Sequence, residues 1–318
     1  MSLPADEQYA VLSYYAFVSL KDPHAEIEAH RAFLAASEAK GRIYLSESGI
    51  NAQLSLPLQR LEEYQEWVVQ RALYGQPLFK VQYWHEQAFP RLTVKYRRQL
   101  VAIDLPIDLR KRGHYLSPVE WKAKLEQSDD FLLLDVRNHY EWEVGHFAGA
   151  VSPHCNVFRQ FDRFTDALQQ EQPADKEILM CCTGGIRCEI YSACLREKGF
   201  QNVFQLEGGI LHYGTQVGSA HWLGKLFVFD DRLTVPISQE ATPVIGHCYR
   251  CSSKSESYYN CANMDCNELF LSCTSCLPLW KGCCSVDCSK AGRLRHYAQQ
   301  NPHKPFRRQS ELLRLAAT

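Results

Sequence analysis

Apolar and polar positions follow a strand pattern over residues 14–20 (YYAFVSL) and helical spacing over 23–40 (PHAEIEAHRAFLAASEAK), where Pro23 suits a first helical turn. Residues 41–57 (GRIYLSESGINAQLSLP) read as two strands around the turn-prone Glu47-Ser48-Gly49. An amphipathic helix follows over 58–73, and then two more strands, FKVQYW and RLTVKYRRQLVAI. The predicted order is β-α-β-β-α-β-β.

Residues 104–114 (DLPIDLRKRGH) mix proline, glycine and charge and read as a linker. Strand and helix then alternate from 115 to 222. LSPVEWKAKLEQ is a helix whose Ser117-Pro118 start and Glu120 form a capping pattern. FLLLDV and EILMCC are unbroken apolar strands, as a parallel sheet covered on both faces requires. GIRCEIYSACLREKGF is a helix ending near Gly199, and NVFQLEGGI is a third strand and turn. The expected fold class is a multidomain α/β chain in three parts. They are an N-terminal ferredoxin/acylphosphatase-like α+β sandwich (1–103), a central parallel-sheet α/β domain (113–222) and a C-terminal cysteine-rich module (245–290). A basic tail (291–318) closes the chain; Lys290, Arg293, Arg295, Lys304, Arg307, Arg308 and Arg314 stand there or at its edge against one acid, Glu311.

Composition changes this picture little. The chain has 318 residues, 46% hydrophobic and 22% charged, with a formal net charge of −1. This is ordinary for two or three globular domains, and the net charge alone points to no polyanionic partner. The first residues lack a basic segment followed by an apolar one, and no apolar run reaches the roughly 18–20 residues of a membrane span. The expectation is a soluble, cytoplasmic protein.

The cysteines change it more. There are 14, nine of them between Cys248 and Cys288 and four between Cys181 and Cys194. Without an export signal, such clusters favour metal binding or catalysis over disulfides. The spacing Cys248-x2-Cys251, Cys261-x4-Cys266, Cys273-x2-Cys276 and Cys284-x3-Cys288 predicts two four-thiolate zinc sites. Alternating pairing joins Cys248, Cys251, Cys273 and Cys276 in one site and Cys261, Cys266, Cys284 and Cys288 in the other, with Cys283 set aside. The rival readings are a metal-free reduced module or an iron–sulfur cluster.

The second cluster, MCCTGGIRCE (180–189), is a strand-to-helix junction. Two glycines let several N–H groups turn inward, and the helix N-terminus adds partial positive charge. A cysteine at the start of such a cradle is held as thiolate, with Arg187 adding fixed charge. Counted from Cys181 the loop suits a tetrahedral phosphate; counted from Cys182 it is one residue shorter and suits a single bound sulfur or small anion. Spacing alone leaves both open.

The flanks resolve it by resemblance. LLLDVRNHYEWEVGHFAGAV (132–151), CTGGIRC (182–188) and LEGGI (206–210) resemble, in order, the first signature, catalytic loop and second signature of rhodanese domains. The resemblance implies that Cys182 is the persulfide-carrying nucleophile, that Thr183, Gly184, Gly185 and Ile186 form its anion cradle, and that Arg187 closes the loop. Cys181 and Cys194 then read as core residues, and Cys188 as either packing or a resolving thiol. Asp135, Arg137 and Glu141 read as structural ion-pair partners, and His146 as a structural histidine.

The likeness extends further. SESGINAQLSL, FPRLTVKYRRQLVAI, YLSPVEW, CTGGIRCEIYSACL, WLGKLFVFDDRLTV (222–235) and the cysteine module together resemble the tRNA uridine hydroxylase family. Two positions depart from its pattern: Cys181, where a tyrosine is expected, and the SESGINAQ segment, where Gly-Thr after the asparagine is more usual. The resemblance implies oxygen-dependent formation of 5-hydroxyuridine at the wobble position, with Cys182 essential, molecular oxygen as co-substrate and the tRNA anticodon loop as partner. Arg91, Lys95, Arg97 and Arg98, with Tyr96 among them, are candidate RNA contacts, and Arg110, Lys111 and Arg112 follow. The redox cofactor stays unknown, because neither a two-His-one-carboxylate pattern nor a dinucleotide fingerprint is present in the sequence. The alternatives are a plain sulfurtransferase carrying a persulfide on Cys182 and a zinc-stabilised adaptor.

Overall fold

A computed structural model describes residues 8–101, 107–127, 130–154 and 160–296 of the chain. The predicted tail residues Lys304, Arg307, Arg308, Arg314 and Glu311 lie outside them. The chain divides into two compact units, one of residues 1–139 and 149–218 and one of 140–148 and 219–318.

The first unit opens with β1 (Tyr9–Phe17), α1 (Pro23–Leu34), β2 (Lys40–Ser46), β3 (Gly49–Pro57), α2 (Leu61–Gln70), β4 (Lys80–Trp84) and β5 (Leu92–Tyr96). The strands form one sheet in the order β4-β1-β3-β2-β5. Four of them repeat the ferredoxin-like arrangement, and β5 adds a parallel edge to β2. Helix α1 is shorter than its sequence pattern and stops at Leu34. Its start is as read: the Asp22 side chain accepts from the Ala25 N–H at 3.0 Å, and Pro23 occupies the first turn. Leu12, Tyr14, Ile43, Ile50, Leu54, Tyr64 and Val68 fill the core beneath the helices. Within it, the Tyr14 and Tyr64 hydroxyls bond each other at 2.8 Å, which satisfies both phenols out of water.

The predicted linker is not free chain in its described part, 107–114. Residues Leu109–Lys111 form a 3-10 turn, and the Gly113 N–H donates to Ser192 Oγ at 2.9 Å. Asp108 and Arg110 pair with each other, so the charges that suggested a solvated linker are spent on a local turn.

There follow β6 (His114–Leu116), α3 (Pro118–Gln127), β7 (Leu132–Asp135), α4 (His139–Val144), β8 (Gly145–Phe147), α5 (Phe161–Glu171), β9 (Ile178–Cys181), α6 (Ile186–Glu197), β10 (Val203–Leu206) and α7 (Gly209–Val217). Strands β6-β10-β9-β7 make a four-stranded sheet in which every neighbour pair is parallel. The apolar run at β9 lies inside the sheet, and the run at β7, the last strand in this order, is also mostly buried. The capping pattern at α3 is real: the Ser117 N–H donates to Glu120 Oε2 at 2.8 Å, and Ser117 Oγ accepts from the Glu120 N–H.

Asp135 and Arg137 form a bidentate ion pair with both side chains fully buried, Nη2 to Oδ2 at 2.6 Å and Nε to Oδ1 at 2.8 Å. Between them, the Val136 N–H donates to the Cys181 carbonyl. The pair thus braces the last residue of β9, immediately before the cysteine loop.

The second unit pairs β8 with β11 (Trp222–Gly224), β12 (Leu226–Phe227) with β13 (Thr234–Val235), and β14 (Tyr258–Asn260) with β15 (Leu269–Leu271), all antiparallel. A short helix α8 (Val286–Ser289) lies near its end. Val144, Phe227, Tyr258 and Leu271 form one core, and Tyr259, Ala262, Phe270 and Leu277 a second, smaller one. His146 behaves as a structural histidine: its Nδ1 lies 2.8 Å from the Trp142 carbonyl, and the two rings stack.

Candidate active site

Strand β9 ends at Cys181 and helix α6 begins at Ile186, so residues 182–185 form the loop. Gly185 takes φ +95, a conformation that favours glycine, and a Cβ there would stand 2.9 Å from the Tyr15 hydroxyl. The same backbone turns the Gly185 N–H toward Cys182 Sγ at 3.2 Å. Further N–H groups of Arg187 and Cys188 reach the sulfur, and the Cys188 thiol donates to it. Arg187 Nη2 donates to Thr183 Oγ1 at 3.1 Å, closing the loop on itself. Below, the Ile210 and Leu211 N–H groups hold the Cys182 and Thr183 carbonyls. A Cβ on Gly209 would lie 2.5 Å from the Cys182 carbonyl, so the LEGGI glycine permits this close approach.

Burial pushes the Cys182 thiol up, but the Cys188 thiol, the Arg187 charge and the two N–H groups outweigh it and hold the group at about 6. Cys188 moves the other way: burial and the neighbouring Cys182 keep it protonated, which makes it a donor. Cys181 is also pushed up by burial. Cys181 and Cys194 both lie in the interior. At neutral pH the loop therefore holds one thiolate, at Cys182. The difference in thiolate ultraviolet absorbance between the protein and Cys182→Ser is expected to rise with a midpoint near pH 6 as the thiolate forms. Arg187→Ala moves that midpoint up, because a positive charge that favours the thiolate is gone.

Groups from the N-terminal sandwich complete the surroundings. The Tyr15 hydroxyl of β1 donates to Glu189 Oε1 at 2.8 Å, and the Tyr115 hydroxyl donates to the same oxygen at 2.6 Å. Arg112 reaches Glu189 Oε2 at 3.3 Å. Glu189 is only 3% exposed, so these donors offset the cost of burying its charge. Lys80 of β4 is 6% exposed, with its Nζ 4.7 Å from the centre of the Tyr15 ring. Burial lowers it to about 8, against the opposing pull of Cys182 and Glu189. Tyr15, Lys80, Arg112, Tyr115 and Glu189 line a cleft of about 310 Å³.

In the second unit, the eight predicted metal cysteines come together as two sets of four: Cys248, Cys251, Cys273 and Cys276, and Cys261, Cys266, Cys284 and Cys288. Within each set all sulfurs lie within 4.8 Å of one another. Sγ separations of 3.7 Å occur for Cys251–Cys273, Cys266–Cys284 and Cys284–Cys288. Zinc–sulfur bonds of about 2.3 Å at tetrahedral angles put sulfurs about 3.8 Å apart, so both sets fit the ion. Cys283 belongs to neither set; it is buried beside Cys261 in the small core of the module.

Residues 9–100 match a family described as UPF0176 acylphosphatase like domain, residues 117–215 a Rhodanese-like domain, and residues 223–289 a Rhodanase C-terminal domain. Among curated proteins, the chain is 52% identical to a tRNA uridine(34) hydroxylase of Protochlamydia amoebophila over 95% of each chain. It is 47% identical to one of Chlamydia muridarum over 95% of this chain and 93% of that one. It is 46% identical to one of Chlamydia pneumoniae over 95% and 94%. The chain belongs to the tRNA uridine(34) hydroxylase family.

Within this member of the family, the basic residues singled out for RNA divide into two groups. Arg91, Arg97 and Arg98 are exposed on and beside β5, with Lys95 half-buried among them. Lys95 and Arg97 both stand over the Tyr44 ring, at 5.6 and 5.3 Å. Arg110, Lys111 and Arg112 instead pair with Asp108, Glu197 and Glu189. The sequence reading missed Tyr15, Lys80, Tyr115 and Glu189. In β4 the lysine reads as one polar position of an alternating strand, and Glu189 as an ordinary first-turn acid.

Proposed function

We propose that this chain hydroxylates uridine 34 of tRNA to 5-hydroxyuridine, with molecular oxygen as co-substrate and Cys182 as the reacting group. The single carrying observation is the Cys182 thiolate, held near pH 6 in a cradle of N–H groups, in a chain collinear with relatives named for that reaction. Of the cradle residues read from the sequence, Gly185 gives its N–H to the sulfur; the other N–H groups come from Arg187 and Cys188, while Thr183, Gly184 and Ile186 shape the loop and Arg187 closes it on Thr183. The exposed arginines near β5 and Lys95 supply phosphate contacts to the anticodon stem-loop. Two zinc ions sit in the two four-cysteine sets as folding elements, since four thiolates leave no open coordination position for chemistry. The setting is the cytoplasm, where such a tRNA is found; among the described residues no helix is long and apolar enough to cross a membrane.

A persulfide on Cys182 also suits a cradle of this size, which keeps sulfur transfer as the second reading. The sandwich argues against it as the main role, because moving one sulfur atom needs no second domain lining the cleft. Mass spectrometry of tRNA nucleosides from cells with and without the gene separates the two. Loss of 5-hydroxyuridine and its derivatives in the deletion, restored by the intact gene, is the expected result. Unchanged levels alongside lost thiosulfate sulfurtransferase activity would overturn the hydroxylase reading.

A further inference from the structure

The cleft beside the cysteine loop is lined by a lysine, Lys80, that pairs with no acid among the described residues. Lys80 Nζ makes no hydrogen bond and no ion pair among the described residues; its one close partner is the Tyr15 ring. The side chain is only 6% exposed yet lines the cleft, and a largely desolvated ammonium at a cleft wall is suited to an incoming acceptor. The groups around it are fixed. Tyr15 faces it from β1, and Glu189 from α6 holds the Tyr15 and Tyr115 hydroxyls on one oxygen. Arg112 and Glu207 lie further around the cleft, and Cys182 acts on Lys80 through its charge. Glu189 already takes three donors, two of them on Oε1, and is held by Tyr15, Tyr115 and Arg112 as part of the cleft wall. At about 310 Å³ the cleft suits one nucleotide, not a helix. Aromatic walls beside a polar reader are how a base turned out of its stack is held.

We propose that this cleft is the pocket for the wobble base and that Lys80 is its specificity-determining residue, donating a hydrogen bond to the uracil C4 carbonyl oxygen. The inference rests on the reading that the chain acts on a tRNA wobble uridine. An ammonium is a donor only. It meets an acceptor at position 4 of uracil but another donor, the amino group, at position 4 of cytosine. Lys80 therefore selects uracil over cytosine from the side of the N-terminal sandwich, and this gives that domain a part in substrate choice.

The test uses the full-length protein and anticodon stem-loop RNAs identical except at nucleotide 34, which is uridine, cytidine, 2-pyrimidinone ribonucleoside (uridine without the 4-oxygen) or abasic. The wild type is expected to bind the uridine RNA about tenfold more tightly than the cytidine or 2-pyrimidinone RNA. Lys80→Met, which fits an apolar site and whose folding is checked by thermal unfolding, binds all three alike and leaves abasic binding unchanged. Lys80→Arg restores the uridine preference. Raising the pH through 8 erodes the preference in the wild type as the ammonium deprotonates, but not in Lys80→Arg, whose guanidinium stays charged. Retention of the preference in Lys80→Met overturns the proposal. So does an equal loss of affinity for all four RNAs, abasic included, which would make Lys80 a backbone contact. An intact, Lys80-dependent preference in a protein that leaves cellular 5-hydroxyuridine unchanged upholds this inference and removes the hydroxylase reading alone.

Discussion

Cys182→Ser is expected to abolish 5-hydroxyuridine formation while leaving the fold intact. The cradle serves an anion, and a serine hydroxyl at neutral pH is not one: no set of N–H groups and one arginine brings an alcohol to ionise where they bring a thiol to about 6. The loss of the reacting atom in a preorganised site is typically more than about a thousandfold. Wobble nucleosides from deletion cells carrying Cys182→Ser, measured by mass spectrometry, should be indistinguishable from those of the deletion. Far-ultraviolet circular dichroism should match the wild type, because serine is nearly isosteric and the Gly185 N–H keeps an acceptor. Cys181→Ala and Cys194→Ala serve as controls that retain most activity, since both side chains are interior packing and burial keeps the Cys181 thiol protonated. Substantial hydroxylation by Cys182→Ser would remove Cys182 from the chemistry altogether.

Removal of zinc is expected to unfold the cysteine-rich module as a unit. Its own apolar core is small, built around Tyr259, Ala262, Phe270 and Leu277; β14 and β15 have three residues each and lend only Tyr258 and Leu271 to the core with Val144 and Phe227. A two-stranded ribbon with so little buried surface does not hold itself together. Structural zinc contributes about 10–16 kcal/mol in zinc-finger peptides, far more than such a core supplies. Metal analysis of the purified protein should find two zinc ions per chain, and Cys251→Ser or Cys266→Ser should each cost one. A strong chelator should make the chain between 246 and 296 susceptible to proteolysis while the sandwich stays resistant. Iron with visible absorbance in place of zinc, or a chelator-treated module as resistant as before, would overturn this assignment.

The element types of both α/β parts were legible because each rests on local periodicity. Period-2 strands and 3.6-period helices can be read within ten residues, as at FLLLDV and EILMCC, whose unbroken apolar character already implied a parallel sheet. The ends were less legible. Helix α1 stops at Leu34 although its apolar pattern continues, and the charged segment before β6, which falls between the two matched domains, is docked in its described part and is not free chain. At α1 the Ser37 N–H and hydroxyl turn back to the Leu34 carbonyl and end the helix locally, whereas the segment before β6 is held by Ser192, which no local window contains. The partition of the cysteines was nearer to legible: short pairs set the ligand sets, and the chain brings those sulfurs to metal-binding separations.

The sequence by itself determined the loop and the order of its parts. Cys182, the two glycines and the helix start after them are contiguous, and contiguity decides which N–H groups can reach one sulfur. Only the tertiary structure decided what lies across from that sulfur. Tyr15 and Glu189 are 174 positions apart and hydrogen-bonded, and Lys80 comes to the same cleft from the edge strand of another sheet. A largely buried lysine and the cleft it lines are properties of positions in space. The pattern along β4, which marks Lys80 only as polar, does not carry them.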